Sequence, residues 1–340
     1  MKAVVLEEFG APLVIKDVPQ PEPGFGEVLV KVRACAVDMF DIKIMNGQVP
    51  RAKPPVVLGH EVAGEIASLG PGVEGWKVGQ RVTCSLYLSC GRCRFCSTGR
   101  ETLCDGPMHY LGVDTDGGYA EYTVLPAHVL VELPDTIPWT EGAILANALG
   151  TAYHAFTKRM RLMPSERVII TGAGGGVGLH AVQLARAMGA LVMAVDIGQA
   201  KLDAASKFGA ELVVDASQED FAQVAMKWSG GKGVEGVLEL VGAATITTSF
   251  NSLGKGGRLV IVGFHKGGEF PIQASRMVAN EWEILGSRNV SKQELVDVVR
   301  LVEAGRIQPV VTEVHPLEEL EKILKRLENL DVVGRAVLEI

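Results

Sequence analysis

Several features common in other protein classes are missing from this chain of 340 residues. No apolar run reaches the ~18 residues that a membrane-crossing helix needs, so no membrane partner is expected. No block of basic residues occurs and the net charge is −7, which argues against a nucleic-acid partner. The start, Met1-Lys2-Ala3-Val4-Val5-Leu6, runs directly into Glu7 and Glu8 without an apolar export segment. The expectation is a cytoplasmic protein in a reducing compartment, where disulfides are disfavoured. Internal repeats are absent. What remains is an ordinary globular composition, 47% hydrophobic and 21% charged, in a chain long enough for two domains with sizeable cores. Glycine is abundant at 40 residues, and it gathers at turns and in one phosphate-loop-like segment rather than in a linker.

Cysteine is scarce too, yet four of the six cysteines fall in one segment: Cys90, Cys93, Cys96 and Cys104, spaced C-x2-C-x2-C-x7-C. Four thiolates so close in sequence can close a tetrahedron around one Zn²⁺, and a site with four protein ligands is structural because no position is left open. An iron–sulfur cluster of the ferredoxin kind would put the fourth cysteine after three intervening residues, before a proline, and it is not there. Cys35 and Cys84 stand apart as lone thiols in apolar surroundings, as buried core residues do.

The first part of the chain reads as short strands broken by turns. Glu27 to Arg33 alternates clearly, and Val62 to Leu69, Arg81 to Ser85, Gly118 to Leu125 and Val129 to Leu133 are further strands. Glu141 to Phe156 has helical spacing. Strands and helices then alternate, with apolar strands at Val168–Thr171, Leu191–Val195, Leu212–Val214, Gly236–Leu240, Arg258–Val262 and Trp282–Leu285. That rhythm predicts an α/β unit with a doubly wound parallel sheet. Helices around Lys292–Ala304 and Leu317–Leu327 precede a strand, Arg335–Glu339, isolated from the α/β run. It is expected to return to the β-rich domain, which makes the nucleotide domain an insertion. The expected division is residues 1–148 with 288–340, carrying a metal lobe at about 84–110, and residues 149–287.

Strand Val168–Thr171 is followed by Gly172-Ala173-Gly174-Gly175-Gly176-Val177-Gly178 and then a helix. A glycine-rich strand-to-helix turn lets backbone approach a pyrophosphate, and the helix N-terminus offers N–H groups and a favourable dipole. At the end of the next strand, Asp196 can accept hydrogen bonds from both ribose hydroxyls and would repel a 2′-phosphate, favouring NAD(H) over NADP(H). The alternative is that Asp196 only caps the following helix. Lys201, one turn into that helix, reaches either the ribose or solvent.

Together these pieces resemble the medium-chain dehydrogenase/reductase superfamily, the zinc-containing alcohol dehydrogenases and their quinone-reductase relatives. The resemblance spans essentially the whole chain. It rests on Pro23 through Val32, Gly59-His60-Glu61-Val62-Ala63-Gly64, Val78-Gly79-Gln80-Arg81-Val82, the cysteine lobe, Gly117-Gly118-Tyr119-Ala120-Glu121-Tyr122 and the nucleotide turn. It implies a GroES-like β-domain, an inserted Rossmann domain, a cleft between them holding nicotinamide and substrate, and homodimers or homotetramers.

The resemblance also exposes a departure. The family's catalytic zinc takes a cysteine after the first long strand, the histidine of Gly-His-Glu, and a cysteine or glutamate at the domain junction. Here the histidine is His60, followed by Glu61. The first position matches Asp38, anchored by Asp41, and the third matches Asn147, whose neutral amide is a poor zinc ligand. The hydroxyl residue of the family's proton relay is Phe40, and its histidine is Lys43. Two readings follow. Either no catalytic zinc binds and NADH reduces quinones, enones or enoyl thioesters with protein donors polarising the carbonyl, or Asp38, His60 and Glu61 hold a metal in an altered alcohol dehydrogenase or carbonyl reductase site. Lys43, His60 and Tyr153 are the candidate proton donors. A third possibility is a non-catalytic NAD(P)H-binding protein, since fold does not settle function.

Overall fold

The structure is a computed structural model that describes residues 1–264 and 268–340. The chain divides into two compact units, one formed by Met1–Gly150, Val290–Gly305 and Pro309–Ile340, the other by Thr151–Asn289 with Arg306–Gln308. The breaks fall two residues later than the expected 148/149 and 287/288, and the short stretch 306–308 goes with the second unit.

In the first unit the strand Glu27–Val37 is the organising element. It pairs antiparallel with Glu61–Leu69, with Tyr122–Pro126 and, at its far end, with Arg335–Glu339. Its 11 residues are almost wholly buried because they carry neighbours along both edges. The sheet continues through Arg81–Cys84 and Leu130–Glu132 on one side and Val311–Pro316 on the other. A smaller sheet joins Val14–Asp17, Lys2–Leu6 and Val56–Val57. Its outer strand Val14–Asp17 is exposed at every position, which explains why it carries no alternation that could be read. The C-terminal strand registers Ala336 opposite Val37 and Leu338 opposite Cys35, so Arg335 is delivered to the end of the long strand where Asp38 begins the next element.

The second unit holds a six-stranded parallel sheet in the order Leu212–Asp215, Leu191–Asp196, Arg167–Thr171, Val234–Glu239, Leu253–Ile261, Glu283–Gly286. In chain order this is 3-2-1-4-5-6, the doubly wound dinucleotide-binding arrangement. Helices Gly176–Ala187, Gln199–Lys207, Phe221–Trp228 and Ile246–Asn251 connect the strands. The core strands Val168–Ile170 and Val192–Ala194 are fully buried, as strands covered on both faces must be.

The segment expected to form one helix over Glu141–Phe156 is more irregular. It runs as α-helix Trp139–Ala143, π-helix Leu145–Leu149, α-helix Gly150–His154 and π-helix Ala155–Met160. The apolar spacing gives the helical state, but the widening of a turn from four to five residues leaves no period that sequence reveals. π turns concentrate at functional sites, and Asn147 lies in the first of them.

Candidate functional site

Three constellations follow from this scaffold. The first is the cysteine lobe, built from two short 3₁₀ turns, Cys96–Thr98 and Glu101–Leu103, flanked by the hairpin of Tyr87–Leu88 with His109–Tyr110. Cys93 Sγ lies 3.4 Å from Cys96 Sγ and 3.8 Å from Cys104 Sγ, and Cys90 Sγ lies 4.0 Å from Cys96 Sγ. A tetrahedron with Zn–S bonds of about 2.3 Å has edges of about 3.8 Å, so the four sulfurs stand at the spacing such an ion imposes. Gly106 permits this closure, because a Cβ there would stand 2.7 Å from Cys90 Sγ. The backbone N–H of Cys96 holds the Cys93 thiol down at about 6, while burial pushes Cys96 up to about 12. Four anions become tolerable together only around a cation. Cys35 and Cys84 are fully buried in the core, and burial pushes Cys84 up to about 12.

The second constellation gathers Asp38, Asp41, His60, Glu61, Asn147 and Arg335. Asp38 follows the long strand and caps the helix Met39–Met45. Its side chain accepts from the Phe40 N–H at 2.7 Å, and Asp41 closes the reciprocal bond to the Asp38 N–H at 3.1 Å. The helix and its capping box went unread in the sequence, although Asp-x-x-Asp was a usable signal. Asp41 also accepts from the Tyr119 hydroxyl at 2.6 Å. His60 is 1% exposed and lies between two acids, with Nδ1 3.2 Å from Asp41 Oδ1 and Nε2 3.6 Å from Asp38 Oδ1. The Nδ1 contact is close in distance but out of line for a hydrogen bond. Phe40 packs edge-on against the imidazole at 5.3 Å between centroids.

Asn147 Nδ2 donates to Asp38 Oδ2 at 2.8 Å and to Glu61 Oε1 at 2.9 Å, and lies 3.3 Å from His60 Nε2. The nitrogen, not the oxygen, faces Asp38, because an amide oxygen there would meet its carboxylate. Arg335, 6% exposed in its side chain, stands 2.9 Å from Glu61 Oε1 and 3.5 Å from Asp38 Oδ2. Sequence reasoning missed Arg335, and the available signal was an arginine opening a strand that continues as Ala336-Val337-Leu338.

Burial opposes the charge on Asp38, but His60 and Arg335 outweigh it and hold its carboxyl well below the usual range. For His60, burial is likewise outweighed, by Asp38 and Asp41, and its pKa is raised. Glu61 goes the other way, since burial pushes it up to about 7 despite the adjacent guanidinium. Lys43 projects from the helix Met39–Met45, half-buried. Burial lowers its pKa and Asp38 opposes the shift. Tyr153 belongs to the other unit and is also half-buried.

The third constellation is the glycine turn between Arg167–Thr171 and Gly176–Ala187. Gly172 adopts φ +63°, and a Cβ at Gly178 would stand 2.2 Å from the Gly172 carbonyl oxygen. Gly174 is buried, with a Cβ there falling 2.3 Å from Lys201 Cβ, whereas Gly175, Gly176 and Val177 are partly exposed. Asp196 ends the next strand and accepts from the Gly174 N–H and the Ile197 N–H, both at 2.8 Å. It therefore braces the turn. The following helix is preceded by Gly198 and has no side-chain cap, so capping is not what Asp196 does. Lys201 Nζ lies 3.9 Å from Asp196 Oδ1.

Comparison with known proteins supplies independent findings. The alcohol dehydrogenase GroES-like domain profile matches residues 24–135, and the zinc-binding dehydrogenase profile matches residues 176–304. An alcohol dehydrogenase of Geobacillus stearothermophilus is 38% identical over 100% of both chains. An acryloyl-coenzyme A reductase of Metallosphaera sedula is 33% identical over 99% of both. Among solved structures, an NAD-dependent alcohol dehydrogenase superposes with a TM-score of 0.94 at 34% identity, over 100% of both chains.

Proposed function

The chain belongs to the zinc-containing alcohol dehydrogenase family of medium-chain dehydrogenases/reductases, and from that premise we propose that it is an NAD(H)-dependent reductase of activated double bonds or carbonyls. On this reading its substrates are quinones, enones or enoyl thioesters, and it works without a catalytic zinc. One observation carries the reading: the Asn147 amide nitrogen stands among Asp38, His60 and Glu61, at 2.8–3.3 Å from each.

A catalytic zinc keeps three good ligands and one open position. Asp38, Asp41 and His60 do offer ligand-type atoms within 4.8 Å of one another. However, the third family position presents N–H groups to this set rather than a lone pair. The guanidinium of Arg335 already balances Asp38 and Glu61. On this reading the residues do not fit a catalytic zinc. The acryloyl-coenzyme A reductase relative, with its comparable identity along the full length, supports the same class of chemistry.

NADH, held by the turn Gly172–Gly178 and by Asp196, supplies the hydride. A carboxylate at the end of this strand repels a 2′-phosphate, which favours NAD(H) over NADP(H). Hydride addition at the β carbon of an enone or enoyl thioester moves the electron pair onto the carbonyl oxygen, and a proton must then reach the α carbon. Lys43 is the proposed donor: it is half-buried on the helix that Asp38 caps, and burial lowers its pKa. Cys90, Cys93, Cys96 and Cys104 hold a structural zinc on this reading, and the family's assemblies make a homodimer or homotetramer the expected state.

The deciding experiment is elemental analysis of the purified protein beside a paired substrate screen. One zinc per chain, lost in Cys93→Ser, with NADH-driven reduction of enones exceeding oxidation of secondary alcohols, is expected. Two zincs per chain, one surviving Cys93→Ser, would sink the proposal in favour of an Asp38/His60/Glu61 metal site.

A further inference from the structure

Glu239 ends the strand Val234–Glu239 and is fully buried. Its Oε1 accepts from Thr171 Oγ1 at 2.8 Å, from the N–H groups of Val241 and Gly242 at 2.9 Å each, and from Thr245 Oγ1 at 2.8 Å. Oε2 accepts from Ser249 Oγ at 2.6 Å. All five donors are neutral. A buried acid is usually kept by a cation, and here uncharged donors do that work. Four donors on one oxygen exceed the two lone pairs of a neutral carbonyl, and the concentrated charge of a carboxylate is what sustains them.

The position of this acid gives it a consequence. Thr171 is the last residue before the glycine turn, and its own Oγ1 accepts from the Leu240 N–H at 3.0 Å. The backbone carbonyl of Glu239 accepts from the N–H groups of Val262 and Gly263, which follow the next strand. A Cβ on Gly172 would stand 3.3 Å from Val241 Cγ2, and one on Gly263 would stand 2.1 Å from the Leu240 carbonyl oxygen. Residues 240–242 are therefore wedged between the glycine turn and the end of the following strand, all at the carboxyl edge of the parallel sheet. That edge is where open α/β sheets bind their ligands.

We propose that Glu239 is a positioning residue for the dinucleotide site: by holding Thr171 on one side and Val241, Gly242 and Thr245 on the other, it locks the segment 240–245 against the glycine turn and thereby sets the affinity for NADH. The proposal rests on the cofactor reading above. Thr171 is one of the five groups that Glu239 holds, so whatever Thr171 contributes through this bond is already lost when Glu239 is changed.

The test is a double-mutant cycle on the full-length protein, read by NADH fluorescence titration with thermal melting and zinc content as controls. Wild type must bind NADH; if it does not, the cofactor reading fails and the cycle is moot for that separate reason. Thr171→Val removes the hydroxyl link at nearly constant shape, and Glu239→Gln removes the charge. Thr171→Val is expected to weaken NADH about tenfold, Glu239→Gln at least as much, and the double variant no more than Glu239→Gln alone, the signature of a shared interaction. Thr171→Ser, which restores the hydroxyl, should bind as wild type. Unchanged affinity in Thr171→Val, losses that multiply in the double variant, or a Thr171→Ser variant as weak as Thr171→Val would overturn the proposal. Should Glu239→Gln fail to fold, Thr171→Val against Thr171→Ser still decides it.

Discussion

At Glu61 the folded protein holds a proton that the unfolded chain gives up. Its pKa lies at about 7 in the fold against a usual 4.5, so its contribution to stability is complete below 4.5 and is lost as pH rises through 7. Asp38, held low by His60 and Arg335, runs oppositely: its contribution is present above its usual 3.8 and is lost as pH falls below that. Melting temperatures followed from pH 5 to pH 8 should therefore fall in wild type and stay flatter in Glu61→Gln. Parallel slopes in the two proteins would place the titration elsewhere. Asn147 is the second informative residue. Asn147→Ala strips a donor from two buried acids at once, and a buried acceptor left unsatisfied costs about 1–3 kcal/mol. Urea unfolding should show a loss of that order, and no change in midpoint would mean that water or Arg335 replaces the amide.

Elements were legible where a period was present and buried on the faces that the period marks. The parallel strands from Arg167–Thr171 to Glu283–Gly286 announce themselves as apolar runs between helical segments. The exposed strand Val14–Asp17 and the short helix Met39–Met45 do not, since one lacks a buried face and the other is shorter than two turns. The matched position of Asn147 was visible from its neighbours in sequence, but its insertion among three side chains was not, because that depends on a π turn. Arg335 was hidden for a different reason: its partners lie across nearly the whole chain. Caps behave more predictably. Ser291 and Glu294 form a reciprocal box at the start of Lys292–Glu303. Ser291→Ala should cost about 1 kcal/mol in urea unfolding while leaving NADH affinity untouched. A shift in that affinity would tie this helix to the cofactor site.

For the whole molecule, the cysteine lobe and the acid–amide cluster make separable demands. Both belong to the first unit, but the lobe holds its short turns together by sulfur ligation on the present reading, whereas the cluster is closed by hydrogen bonds and one guanidinium. A strong chelator should lower the melting temperature by several degrees as a 1 kcal/mol-scale change does in a protein domain, and added zinc should restore it. Indifference to the chelator would remove the structural zinc from the account. The pairing of Glu27–Val37 with Arg335–Glu339 carries a last implication, about time rather than space. During synthesis, Asp38 and Glu61 leave the ribosome early, and the guanidinium that faces both is translated after the entire nucleotide-binding unit. Until then the first unit has an unfilled place in its sheet and two acids beside it that lack their guanidinium. The nucleotide-binding unit, contiguous but for three residues, is free to fold first. The order of completion is thus written into the strand order, and a nascent chain halted before residue 335 should protect its parallel sheet from protease before it protects Glu27–Val37.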